Sequence, residues 1–173
     1  TVATIHRCLG RLVFGEEEDE LQHAVLRLLD RRQGTVATVE WGTAGQIAIW
    51  LDEADPQGDR YLGGVVVRSS HVADSLLGGD RPVAHGEDVA GARELARHLS
   101  IGCRERTGAD YGLATSPLSD TRAKGDHSFA VAVATSEEVV VRSFPAAPHP
   151  SLRRVLRAKQ GLNMLRLQLL AEA

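Results

Sequence analysis

The 173-residue chain reads as an α/β protein, a three-layer α/β/α sandwich around a mixed, mostly parallel five-stranded sheet. Three observations point there. Amphipathic helical stretches alternate with short β-rich runs along the whole chain. The runs 36–40, 61–67 and 111–115 are nearly continuous in apolar residues, as in strands covered by helices on both faces. Two further runs, 128–134 and 138–144, are joined only by Thr135, Ser136 and Glu137, a hairpin that makes at least one strand antiparallel.

In chain order, residues 1–9 suggest the end of a helix and Arg11 to Phe14 a brief extended piece. Glu16 to Arg32 is an amphipathic helix with Leu21, Val25, Leu28 and Leu29 on its apolar face, acid in its first turn and Gly34 as its stop. Strand Val36 to Glu40 turns through Gly42 into a helix running to Glu53, with Thr43 placed as its N-cap. After the turn at Asp55-Pro56-Gln57-Gly58 come strand Tyr61 to Val67, helix Ser70 to Leu77, and a turn over Gly78 to Pro82. Helix Glu87 to Arg106 points Val89, Ala92, Leu95, Ala96, Leu99 and Cys103 inward, and strand Tyr111 to Thr115 follows the break at Gly108. The closing helix, about Pro150 to Ala171, carries Leu152, Val155, Leu156, Leu162, Leu165 and Leu169 on one broad face, with Arg153, Arg154 and Arg157 on a solvated side.

Composition narrows the function. With 43% hydrophobic residues the chain fills the core of a single domain. A net charge of −3, with acid and base interspersed, offers no basic stripe for nucleic acid. No apolar run approaches membrane-spanning length, and no signal-peptide pattern is present. Cys8 and Cys103 lack C-x-x-C spacing and read as buried free thiols of a reducing, cytoplasmic compartment. None of the seven histidines has an H-x-H or H-x-x-x-H partner, so neither a metal nor any other cofactor is expected. Asp52, Glu53 and Asp55 form a solvated helix end rather than a pair of catalytic carboxylates.

The segment Thr38-Val39-Glu40-Trp41-Gly42-Thr43-Ala44-Gly45 carries the strongest functional signal. A strand that turns sharply into a helix aims backbone N–H groups and a helix N-terminus at open space, an arrangement suited to an anion. The segment resembles the Thr-Ala-Glu-Ser-Cys-Thr-Gly-Gly signature of the CinA C-terminal domain family, the nicotinamide-mononucleotide deamidases, matching at Thr38, Glu40, Thr43 and Gly45. Leu9 to Glu16 resembles the family's lead-in, Leu62 to Ser69 its Gly-Gly-Val-Val-Ala-Tyr-Ser-Asn strand, and Thr107 to Ala114 its Gly-Ala-Asp strand entry. The resemblance implies a lead-in segment and first helix over 1–34 and the CinA-like domain over 35–173, together a single domain. In many family members a larger domain comes first, so a chain that begins on Thr1 suggests a piece of something longer. A homo-oligomer is implied in the same way.

The departures are as informative. The family hydrolyses an amide with the serine of its Glu-Ser-Cys, assisted by the tyrosine and lysine of a Tyr-Ser-Asn-x-x-Lys segment. Here those positions hold Trp41, Arg68 and Ala73. An indole cannot attack a carboxamide, and without a basic partner no substitute is activated. The family's glycine-rich loop is replaced by the stretch 115–127, which is nearly free of glycine and reads as a polar surface loop, while the resemblance implies arginines near the ligand in the region of Arg153, Arg154 and Arg157.

No catalytic residue is therefore assigned. Glu40, Thr43, Gly45, Arg68, Ser69 and Ser116 are the candidate ligand-binding residues, and a pyridine nucleotide or small anion is the partner they fit. Arg68, at the end of an apolar strand, needs a counter-charge, and Glu40 is the first candidate for it. The Trp41 ring is expected to fill part of the space where the family's substrate lies, with its indole N–H on an acceptor. Three readings follow: a catalytically silent domain with a structural, assembly or regulatory role; a nucleotide- or anion-binding module without turnover; and an amidohydrolase with Ser69 or Ser116 as a relocated nucleophile, His71 serving as base.

Overall fold

A computed structural model describes residues 19–77, 88–120 and 127–172. The expected elements at 1–9 and 11–14, the turn at 78–82 and Cys8 lie outside them. Along the chain run α1 (Leu21–Arg32), β1 (Val36–Trp41), α2 (Gln46–Ala54), β2 (Tyr61–Val67), α3 (Ser70–Leu77) and α4 (Val89–Thr107). There follow β3 (Tyr111–Thr115), β4 (Ser119–Asp120), β5 (His127–Ala134), β6 (Val139–Pro145) and α5 (Pro150–Ala171).

The mixed α/β sheet is present, with the two-residue β4 added to the five expected strands. β1 lies parallel between β2 and β3. β5 runs antiparallel to β3, to β4 and to its hairpin partner β6. Helices α1, α2 and α5 cover one face, where Leu29, Ile47, Leu51, Leu113, Val131, Leu162 and Leu165 form the larger core. Helices α3 and α4 cover the other, packing Ala73, Leu77, Leu95, Leu99 and Cys103 on Ala37, Val39 and Val67. Two glycines set the spacing of that second layer. A Cβ on Gly102 would strike the Leu77 carbonyl oxygen, and one on Gly112 the Ser100 carbonyl oxygen, so α4 meets α3 and β3 backbone to backbone.

Several expectations need correction. α1 starts at Leu21, capped by Glu20 in a reciprocal box with His23, whose ring nitrogen accepts the Glu20 N–H at 3.2 Å. Among the described residues β2 is not an interior strand: it pairs there only with β1 and leaves Leu62 and Val66 exposed. An apolar run reports what a side chain prefers to touch, and does not report whether the strand's second edge is paired. On α5 the apolar stripe is buried only in its C-terminal part. Leu152 and Leu156 are exposed, while Arg157, assigned to the solvated side, is 3% exposed.

Candidate functional site

β1 and β3 end side by side, and the β1–α2 turn closes over them. This turn is tightly wound. Gly42, Ala44 and Gly45 all take positive φ, at 84°, 55° and 84°. Ala44, in the family signature a glycine position, holds a left-handed conformation that costs an L-residue about 1–2 kcal/mol. α2 consequently begins at Gln46 with Gly45 as its N-cap, and Thr43 does not cap it.

Glu40 makes the cap instead. Its carboxylate, 1% exposed, accepts the Ile47 N–H at 3.1 Å and the Ala48 N–H at 2.7 Å. Even-numbered β1 residues face the α1–α2–α5 layer, so the side chain at 40 arrives directly beneath the first turn of α2. There the carboxylate satisfies two orphan donors and meets the positive end of the helix dipole. The Glu40–Arg68 pair is therefore absent. Arg68 is exposed at the end of β2, and the buried carboxylate is already committed.

Thr43 is fully buried, and its hydroxyl has no hydrogen-bond partner among the described residues. Ser69 is exposed, and its Oγ accepts the Val72 N–H at 3.3 Å as the cap of α3. Ser116 is fully buried, donating from Oγ to the Pro117 carbonyl and accepting the Ala130 N–H, both at 2.8 Å. Trp41 is half-buried and packs against the α3–α4 cluster. Ala73 lies inside that cluster at 0% exposure. Of the candidates, Glu40, Thr43, Gly45 and Ser116 lie around the ends of β1 and β3, and Arg68 and Ser69 follow Val67, the β2 partner of Trp41, with both residues exposed.

The residue that organises this end of the sheet is Arg157. Its Nη1 donates to the Trp41 carbonyl at 3.1 Å and to the Ser116 carbonyl at 3.5 Å, and its guanidinium carbon lies 4.9 Å from the Phe129 ring centroid. Thr115 completes the clasp, its Oγ1 accepting the Trp41 N–H at 3.1 Å and donating to the Trp41 carbonyl at 3.3 Å. Burial, with Arg153 nearby, pulls the Arg157 pKa down to about 10, so the group keeps its charge at neutral pH. Among the described residues no carboxylate pairs with it; carbonyl dipoles and an aromatic face offset its desolvation instead. The guanidinium reaches this place because residue 42 is glycine, where a Cβ would overlap Nη1. Sequence periodicity held the missing signal: Arg157, Gly161 and Leu165 follow i, i+4, i+8 on the buried stripe.

Beyond Arg157 opens a cleft of about 890 Å³ between the hairpin and the start of α5, lined among others by His127, Phe129, Phe144, Arg153 and Arg157. Phe129 and Phe144 stack at 5.7 Å within it, and Arg153 is tied to the Ala147 and Pro148 carbonyls at 2.9 and 3.3 Å. The described residues hold no group of histidines, cysteines and carboxylates suited to a metal ion. No described helix is long and apolar enough to cross a membrane.

The fold and site define a class: an α/β/α domain in which an arginine of the last helix, Arg157, bonds the backbone at the carboxyl ends of β1 and β3 and lines a cleft between the hairpin and the start of that helix. The profile of the CinA C-terminal domain matches residues 18–169, and the chain belongs to that family. It is 34% identical over 118 residues to a CinA-like protein of Frankia casuarinae, a match covering 68% of this chain and 27% of that protein. A CinA-like protein of Synechococcus sp. (strain RCC307) is 29% identical over 171 residues, 95% of this chain and 41% of the relative. The chain thus spans well under half the length of these relatives. The CinA superfamily protein of Escherichia coli has the same fold, with a TM-score of 0.71 at 20% identity over 92% of this chain and 98% of that one.

Proposed function

We propose that this chain is a CinA-like domain without amidase turnover, serving a structural, assembly or regulatory role. One observation carries the reading: the positions that resemble the family's nucleophile and lysine hold Trp41 and a fully buried Ala73, neither able to attack or to move a proton. The relocated-nucleophile reading has little support. The Ser116 hydroxyl is fully buried and held by backbone groups, and the Ser69 hydroxyl caps α3, with no base bonded to it among the described residues.

Binding without turnover is the second reading. Among the described residues the buried Thr43 hydroxyl and the Arg157 Nε both lack partners, and the Arg157-lined cleft is large enough for a nucleotide or small anion. Incubating the protein with nicotinamide mononucleotide, while following ammonia release and thermal shift, separates these readings. No ammonia is expected. Release above a buffer blank that is abolished by Ser69→Ala or Ser116→Ala overturns the proposal. A rise in Tm without ammonia selects the binding reading.

A further inference from the structure

A second cavity, of about 460 Å³, opens at the amino ends of β1 and β3, at the opposite end of the sheet from Arg157. Its volume lies within the range of about 300–1,000 Å³ usual for small-molecule sites. The walls come from Gln33 and Gly34 after α1, Arg104 on α4, the hairpin turn 135–138 and Glu172 after α5. Most of its acids are already engaged. Glu172 accepts the Tyr111 hydroxyl at 2.6 Å and the Gln168 amide at 2.9 Å, with Arg32 Nη1 at 3.6 Å. Asp110 Oδ2 accepts the Thr35 N–H and hydroxyl at 2.8 and 2.9 Å, and Glu138 Oε1 accepts the Gln168 amide at 2.7 Å. One cation and one anion are left over. Arg104 Nε is buried and has no hydrogen-bond partner among the described residues. Its stem crosses β3 at Gly112, where a Cβ would come within 3.0 Å of its own. The exposed Glu137 carboxylate holds no hydrogen bond or ion pair among the described residues, while its N–H, bonded to Thr135 Oγ1 at 3.2 Å, fixes it on the turn.

We propose that this cavity is a binding site for a free α-amino acid, its carboxylate on the Arg104 guanidinium and its ammonium on the Glu137 carboxylate. The charges of the wall select a ligand of both signs. A simple anion could satisfy the orphaned Nε–H, but it would sit among the carboxylates of Asp110, Glu137, Glu138 and Glu172. A simple cation would meet a guanidinium and leave its buried donor without an acceptor. A metal ion is disfavoured as well, because the described residues form no group of ligands suited to one. A zwitterion answers both leftover groups at once. Nε–H and a neighbouring Nη–H present the fork that matches a carboxylate. On the other side α1 and α5 turn their C-terminal ends, at Gln33 and Glu172, toward the same space, and their partial negative charge favours an ammonium. The cavity shares no lining residue with the cleft at Arg157, so binding here is independent of binding there.

Thermal shift of the full chain with each common L-amino acid at millimolar concentration, followed by calorimetric titration of the best, tests this. At least one amino acid should raise Tm, whereas acetate and methylamine, each carrying one half of the charge pattern, should not. Arg104→Met and Glu137→Gln should each weaken that amino acid roughly tenfold or more, since each removes one charged partner. Circular dichroism confirms that the variants are folded, and Glu137, on an exposed turn, keeps the test open should Arg104→Met fail to fold. Three results overturn the proposal: no amino acid raises Tm, acetate or methylamine alone does as well, or affinity survives the charge removals.

Discussion

Removing the Glu40 carboxylate should destabilise the domain more than any exposed substitution at this end of the sheet. Two hydrogen bonds to a charged acceptor, at 3.1 and 2.7 Å, hold the first turn of α2. Each is worth about 1.5–3 kcal/mol, and the helix dipole adds up to about 1 kcal/mol. Against this stands the desolvation of a buried carboxylate, which the substitution relieves. A net cost of about 3–4 kcal/mol for Glu40→Ala follows, and about 2 kcal/mol for Glu40→Gln, which keeps the volume and one acceptor. For a chain of this size that places Tm roughly 6–15 °C lower for the alanine variant. Urea unfolding followed by far-UV circular dichroism should show the midpoint falling at an unchanged slope. Arg68→Ala should stay within about 0.5 kcal/mol of the parent. A cost below about 1 kcal/mol for Glu40→Ala, or an Arg68→Ala cost equal to that of Glu40→Gln, would refute the capping argument.

Other expectations follow from the same geometry. Ala44→Gly should stabilise by about 0.5–1 kcal/mol in urea unfolding, since relief of the left-handed strain exceeds glycine's extra chain entropy. Gly42→Ala should cost more than about 2 kcal/mol, and in an Arg157→Ala background only the roughly 1–2 kcal/mol of its positive φ should remain. Burial raises Tyr61, Tyr111 and Cys103 to about 12, the Glu172 carboxylate adding to the effect on Tyr111. The folded state then keeps protons that the unfolded chain releases near 9–10, so stability is fully present below that range and is lost as pH rises toward 12. Both tyrosines of the native chain should therefore ionise near 12 by ultraviolet absorbance; half of the signal appearing near 10 contradicts this. The Cys103 thiol should resist iodoacetamide at mildly alkaline pH in the native protein and react once it is unfolded, tested in a Cys8→Ser background.

Periodicity made the helices and strands legible because burial of one face is a local property, written every 3.6 or 2 residues. Helix α3 and strand β2 fall on the residues expected for them. What was not legible depended on where separate elements meet. Thr43 has the chemistry of an N-cap, yet positive φ at Gly42, Ala44 and Gly45 carries it into the interior and brings in Glu40 from the strand instead. The apolar run of β2 does not say that one of its edges goes unpaired among the described residues. Arg157 looked solvated because a guanidinium rarely enters a core, and only the fold reveals the carbonyls and the phenyl ring awaiting it. The resemblance located the strand ends correctly, but it could not say which side chains close them.

The clasp on Trp41 also has a consequence in time. Its guanidinium comes from a residue 116 positions later in the chain, so the end of the first strand stays unfinished until the last helix has been made. At about 5–20 residues per second, translation leaves it open for roughly 6–23 s. During that interval the Trp41 and Ser116 carbonyls and the Phe129 ring lack their cation, and the α1–α2 layer lacks the helix that completes it. A nascent chain stalled before residue 150 should therefore be recognised by chaperones and cut by proteases near the β1–α2 turn, and release of α5 should end both.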